Sequence, residues 1–348
     1  MKETIEKIRK LIEKSDNPLF FYDDDPDGLI SYLLLKKHYK KGIGVIIRRA
    51  SDNETDLYQE KIKEYSPDLV LFLDKPELKQ KVFNQIHVPV IWIDHHIPIK
   101  VKGVTYLNPR LKNAGNNKPT SYLCYQITKD NLWLAAVGVT SDWSLALYKD
   151  FKKKYPELVK GLKIRNVKPG DVLYKTELGR LAKIFSFILK GKTSDVRKDI
   201  NFISKINDPY DILEKKTEEG KFLFEKAEKL TKLYDLLLEQ AKKEGKKSGR
   251  ILFFRYSEDK KFSFTSNLAN ELIYIFPNKI VMVAREKEGK VKSSLRSSEK
   301  DIKLPRIINK IFREIPGNGG GHEHACAALF DSKYLESFME LLEKNVKK

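Results

Sequence analysis

The chain has 348 residues, 41% hydrophobic and 33% charged, with a formal net charge of +19 and a pI near 9.5. At about 150 residues per domain this length predicts two domains, and the basic balance predicts a polyanionic partner, nucleic acid first. No apolar run approaches the ~18 residues of a membrane span, and the two cysteines, Cys124 and Cys326, stand outside any zinc or CxxC spacing.

The N-terminal stretch MKETIEKIRKLIEKSDN has the pattern of an amphipathic helix with both charge signs. It is no signal peptide, so a cytoplasmic protein is expected. Then come PLFFYD, GVIIRRA, DLVLFLD and VPVIWIDHH, four short apolar runs separated by helical patterns such as GLISYLLLKKHYKK. Buried parallel strands read this way, and their alternation with helices predicts a doubly wound, mostly parallel α/β sheet. LWLAAVGVTSDWS is read as a helix, and residues 150 to 215 as mixed helices. In the segment after residue 215, Leu223, Ala227, Leu230, Tyr234, Leu237 and Ala241 step by three and four, which places one apolar stripe on a long helix. The run KKEGKKSGR ends it. ILFFRY opens a second, smaller α/β domain; FTSNLANELIYIF reads as a helix with a Thr or Ser cap, and KIVMVAREKEGKVKSSLRSS as a hairpin about KEGK. GNGGGHEHACAALF reads as a glycine-rich turn entering an apolar segment, and a closing amphipathic helix follows. The expected division is residues 1–215, a linker helix over 216–248, and 249–348.

The stretch FFYDDDPDGLI holds four aspartates in five positions. Like charges this close cost about 1 kcal/mol per pair even in water, so a cation among them is expected. A strand continuing through Asp27 would put Asp23, Asp25 and Asp27 on one face, with Asp24 pointing away and Gly28 allowing the turn into the helix. Asp74 follows the third strand and Asp94-His95-His96 the fourth, while Asp142 follows the LWLAAVGVTS segment. Ligands of open parallel sheets sit beyond the carboxyl ends of the strands, where these groups gather. Carboxylates with imidazoles suit Mn²⁺ over plain Mg²⁺, and a two-metal centre of this make-up clamps a phosphate and activates water for in-line attack.

These motifs resemble those of the DHH phosphoesterase superfamily. DDDPDG resembles its first motif in the form typical of RecJ-like nucleases, VLFLD the second, IDHH the third and GVTSD the fourth. SSLRSS with GNGGGHEHACAA resembles the substrate-binding DHHA1 domain, and the compact chain is similar to archaeal RecJ-like proteins. The resemblance implies a DHH catalytic domain joined by a helical linker to a DHHA1 domain. It implies two Mn²⁺ ions, with Mg²⁺ as a substitute, held by Asp23, Asp25, Asp27, Asp74, His95 and Asp142. Asp74 would bridge them, Asp94 would orient His95 from behind, and His96 would face the scissile phosphate; His96, Asp94, Asp27 and Asp74 form the catalytic set. Substrate would be gripped by Arg296, Ser294, Gly319, Gly320, Gly321 and His322, with Asn108 as a further contact. The chain departs from the family in two motifs: Asp23 stands where His is common, and Lys75 and Pro76 follow Asp74.

The implied activity is a single-strand exonuclease that degrades DNA or RNA to nucleoside 5′-monophosphates, with 3′→5′ as the expected polarity. Alternatives are a phosphodiesterase of short oligoribonucleotides or cyclic dinucleotides, and a scaffold subunit of the replisome without catalysis. Single-stranded nucleic acid is the expected partner, together with a replication or repair protein, and no membrane.

Overall fold

Four of the five strands in the first sheet are apolar along nearly their whole length, which only a sheet covered on both faces can bury. A computed structural model describes residues 1–48, 54–162, 166–256, 262–299 and 301–346, with the Lys247 side chain excepted. The last two residues of GVIIRRA lie outside them. The strands are β1 (Pro18–Asp23), β2 (Ile43–Ile47), β3 (Leu69–Leu73), β4 (Val90–Ile93) and β5 (Thr105–Leu107), in the order β2-β1-β3-β4-β5. All the pairings are parallel. The order reverses at β1, so the crevice outside the carboxyl ends of β1 and β3 is the topological switch point, where such sheets bind ligands. One face is sealed by Phe21, Phe72, Tyr58, Phe83 and Trp92, all buried in one apolar cluster.

Register brings the acids level. Tyr22 pairs with Leu73, and Leu73 with Ile93, so Asp23, Asp74 and Asp94 emerge side by side. The backbone continues the ladder for one step, with Asp74 N–H donating to the Ile93 carbonyl at 2.9 Å and Asp94 N–H to that of Leu107 at 3.1 Å. β1 stops at Asp23 and the next helix, Pro26–Tyr39, begins three residues later. Asp27 therefore lies in a helical first turn. The expected strand face shared by Asp23, Asp25 and Asp27 does not form, because Pro26 at the first helical position starts the helix there. Gly28 serves close approach, not the expected turn: a Cβ on it would stand 2.8 Å from both the nitrogen and the carbonyl oxygen of Asp23.

LWLAAVGVTS is a helix, Leu132–Ser141, buried nearly all round, and Asp142 caps its carboxyl end. Between residues 148 and 213 the described residues form five α-helices and a short 3₁₀ turn. The long helix runs Glu218–Glu244, and each residue of its expected stripe is buried.

By its internal packing the chain divides into Met1–Ala227 and Glu228–Lys348. The division falls inside the long helix. The second unit holds a mixed six-stranded sheet of β6 (Lys246–Ser248), β7 (Ile251–Tyr256), β8 (Ile280–Lys287), β9 (Lys290–Ser297), β10 (Asn318–His322) and β11 (Ala325–Asp331). Its order is β10-β11-β9-β8-β7-β6, with only β7 and β8 parallel. The hairpin about KEGK forms as expected, Lys287 facing Lys290. Two expectations are corrected. The helix Thr265–Ile275 is preceded by Phe264 and has no side-chain cap, because Thr265 is already inside the helix and buried. The glycine run is an exposed edge strand, held by β11, and not a turn.

Replacing Gly28 with Ala should cost about 1–3 kcal/mol, since the clash is with backbone that side-chain repacking cannot relieve. Chemical denaturation reads this directly. The same change at Gly320, where nothing lies within 4 Å, should leave the midpoint in place.

Candidate metal centre

Asp27 is buried, and an isolated buried carboxylate is costly unless it is hydrogen-bonded. Its partners come from the start of the helix Thr120–Thr128. The backbone N–H groups of Thr120 and Ser121 donate to it at 2.8 and 2.9 Å, and the Ser121 hydroxyl donates as well. That helix has Pro119 at its cap position and no side-chain cap of its own. Asp27 satisfies its unpaired amides and meets the positive end of its dipole. The Thr120 hydroxyl donates to Asp74 Oδ1 at 2.9 Å, so one helix start fixes two carboxylates. Asp74 itself has φ of 59°, a left-handed turn taken directly after β3.

His95 stands between two acids. Its Nε2 is 3.4 Å from Asp74 Oδ1 and its Nδ1 is 3.7 Å from Asp142 Oδ2. Asp94 is fully buried and lies beside the other histidine: its Oδ1 is 2.7 Å from His96 Nδ1, and Oδ2 accepts from the His96 N–H at 3.1 Å. The expectation that Asp94 orients His95 is corrected. Residues two apart in extended chain share a side, which pairs 94 with 96. Asn108, expected to touch substrate, is buried, and its amide donates to Asp94 Oδ2 at 3.2 Å and to the His96 carbonyl at 3.0 Å. It braces the DHH turn from behind.

The remaining expected ligands sit differently. Asp25 caps its own helix, its Oδ1 accepting from Gly28 N–H at 2.8 Å. Asp23 is paired with the buried Lys75, whose ammonium is 2.9 Å from Asp23 Oδ1.

Burial, then the charges of Asp23 and Asp27, push the Asp25 carboxyl up to about 7. Asp74 is raised well above the carboxylate range by burial and by Asp27, Asp25, Asp23 and Asp94, in that order. Asp142 is raised by burial and by Asp27 and Asp25, with Arg110 opposing. Burial lowers the His95 imidazole. At His96 burial also disfavours the proton, but the hydrogen bond and charge of Asp94 outweigh it and the imidazole is raised. Carboxyls that strain against ionisation beside a neutral imidazole are the donor set of a divalent cation. Two groups, Asp27-His95-Asp142 and Asp74-His95-His96, each offer ligand atoms within 4.8 Å of one another. These residues fit a metal.

In the second unit, Arg296 on β9 donates from Nη2 to Ser266 Oγ at 2.8 Å and from Nη1 to the Leu295 carbonyl at 2.9 Å, and its Nε bonds Asn270. Ser294 is buried and its hydroxyl bonds Thr265 at 3.1 Å, which places it behind the surface. Gly319, Gly320, Gly321 and His322 line the exposed edge β10. Sequence reasoning noted Lys75 only as a departure from the family, and missed Thr120, Ser121 and Arg110. Of these only the Pro-Thr-Ser helix start carried a local signal, and it did not name Asp27 as its partner.

Residues 250–348 match the DHHA1 domain family. A search of curated proteins returns no match. Among solved structures, the chain is similar to RecJ from Thermus thermophilus in complex with Mn²⁺, with 16% identity and a TM-score of 0.70. That match covers 99% of this chain and 54% of the RecJ chain, so this chain spans about half of that protein. The DHH domain of a member of the s1p family of ribosomal proteins gives 17% identity and a TM-score of 0.71, over 100% of this chain and 91% of that one. CDC45 from Entamoeba histolytica gives 10% and 0.63, over 99% of both chains. The architecture is thus a five-stranded parallel-sheet domain, a helical linker and a mixed-sheet DHHA1 domain. Among the described residues no helix is long and apolar enough to cross a membrane.

A carboxyl whose folded pKa is raised favours the folded state at low pH and loses that contribution as pH rises through the folded value. For Asp25 the window runs from 3.8 to about 7. Metal-free protein should therefore lose Tm relative to Asp25→Asn across that window, and Mn²⁺ should raise the wild-type Tm more at pH 7.5 than at pH 5. A difference that is flat with pH in calorimetry would show that Asp25 ionises freely.

Proposed function

We propose that this chain is a metal-dependent phosphodiesterase of the DHH type, acting on single-stranded DNA or RNA as an exonuclease with 3′→5′ polarity. The observation that carries this reading is the meeting of Asp27, Asp74, His95, His96 and Asp142 at the switch point of a parallel sheet. The likeness to a Mn²⁺-bound RecJ and the +19 charge support it.

Asp27, Asp74, His95 and Asp142 would hold Mn²⁺ or Mg²⁺, which supplies polarisation of the phosphoryl oxygen and a more acidic water. The chain does the rest. Thr120 and Ser121 keep Asp27 and Asp74 aimed, so the acids need no reorganisation when substrate arrives. His96, whose proton is favoured by its bond to Asp94, would donate to the oxygen that leaves. Water adds to phosphorus, the bond from phosphorus to the 3′ oxygen breaks, and the proton goes to that oxygen. A nucleoside 5′-monophosphate is released. In the second unit, glycines on the edge strand β10 would let a phosphate approach backbone N–H groups closely, beside His322 and Arg296.

The Lys75–Asp23 pair favours a second reading, in which the chain binds a strand and a partner protein without turnover, because a lysine already neutralises one of the expected ligands.

The test is a time course on single-stranded oligomers labelled at either end, with Mn²⁺ or with chelator. A ladder shortening from the 3′ end is expected, and Asp27→Ala should lower the rate by more than ~100-fold, beyond the usual effect of residues that only support ligands. Turnover of dimers to pentamers alone would replace long strands with short oligomers as substrate. No turnover with Mn²⁺ bound would make the chain a binding subunit.

A further inference from the structure

The acids at the switch point are not all open to a metal. Asp27, Asp74, His95, His96 and Asp142 make up both groups of converging ligand atoms, and His95 belongs to each. Among the described residues neither Asp23 nor Asp25 enters such a group. At each, one carboxylate oxygen is already engaged. The Asp25 Oδ1 is taken by the Gly28 amide at 2.8 Å. The Asp23 Oδ1 is taken by the Lys75 ammonium at 2.9 Å.

Lys75 is built into this place. Asp74 turns the chain through a φ of 59°, and the Lys75 carbonyl then accepts from the buried indole of Trp92 at 2.9 Å. That indole stacks on Tyr106 with centroids 4.1 Å apart. The lysine backbone is thus pinned in the core, its side chain is buried, and its charge meets the carboxylate next door on β1. An ammonium at a carboxylate neutralises it and repels a dication from the same oxygens.

We propose that the Lys75 ammonium stands in for one of the two cations, so that the chain holds a single divalent ion, on the His95 side. The proposal rests on the reading of a metal-dependent phosphodiesterase and replaces the expectation of two ions. In this arrangement Lys75 is a positioning residue: it holds the Asp23 carboxylate in place, and one ion with one fixed ammonium shares the charge load of the cluster.

The full chain would be dialysed against Mn²⁺, bound metal counted by mass spectrometry, and the Mn²⁺ spectrum recorded by electron paramagnetic resonance. Wild type should hold one Mn²⁺ per chain with the six-line spectrum of an isolated ion. Lys75→Met, which keeps volume and removes charge, should hold two and lose the isolated signal through spin coupling. Asp23→Asn should keep the single ion, with affinity changed less than about threefold. Two ions in the wild type, or loss of the ion in Asp23→Asn, would overturn the inference and leave the phosphodiesterase reading standing. One ion in folded Lys75→Met would overturn it also. No Mn²⁺ in the wild type would overturn both. The wild-type count needs no variant, so failure of either variant to fold leaves the decision to it.

Discussion

Repulsion among carboxylates at the carboxyl edge of the parallel sheet is the constraint that the first unit is built around. Parallel register delivers Asp23, Asp74 and Asp94 to one edge, and the helix that follows β1 adds Asp25 and Asp27. Asp23, Asp74 and Asp94 cannot be moved without shifting a strand, because Tyr22, Leu73 and Ile93 before them are buried core. The charge must be met where it stands.

The chain meets it with several different chemistries. Asp27 is bound by the start of a helix, a fixed dipole that no pH change removes. Asp94 is bound by an imidazole and an amide, and the imidazole gains basicity in return. Asp23 is bound by a lysine. Asp74 receives one neutral hydroxyl, and Asp142 borders an imidazole whose own proton is disfavoured. Those last two are the poorly compensated acids, and both flank His95. A cation therefore gains most at His95, and the same imbalance that would destabilise the empty fold selects the place for the ion.

Much of this was legible in the sequence. The strands β1 to β4 announce themselves as unbroken apolar runs, and the acids that end them follow from where those runs stop. β5 is three residues long, with two of them half-buried, and leaves no pattern to read. The Asp23-Asp25-Asp27 alternation misled, since a proline after Asp25 sets helical geometry before the period of two can act. The glycines of β10 misled in the other direction, because a residue without a side chain carries no strand signal, and its pairing to β11 is supplied by Ala325–Asp331. The partners of Asp27 lie 93 and 94 residues away in the chain. That contact exists only once the helix Leu132–Ser141 packs beside Pro26–Tyr39, with Gly138 so near Ser121 that a Cβ there would stand 2.7 Å from its hydroxyl.

The two histidines show why identity alone under-reads such a site. They are adjacent in sequence and opposite in chemistry. Burial disfavours the proton on His95, while Asp94 favours it on His96. The difference is set by the hydrogen bond Asp94 makes, and that bond is held by Asn108, whose amide is in turn bonded to Tyr106, whose ring stacks on Trp92. Trp92 then reaches the Lys75 carbonyl. One aromatic stack thus joins His96, the carboxylate bonded to it and the lysine paired with Asp23. The two imidazoles are set apart by packing through Asn108, Tyr106 and Trp92, where no motif lies.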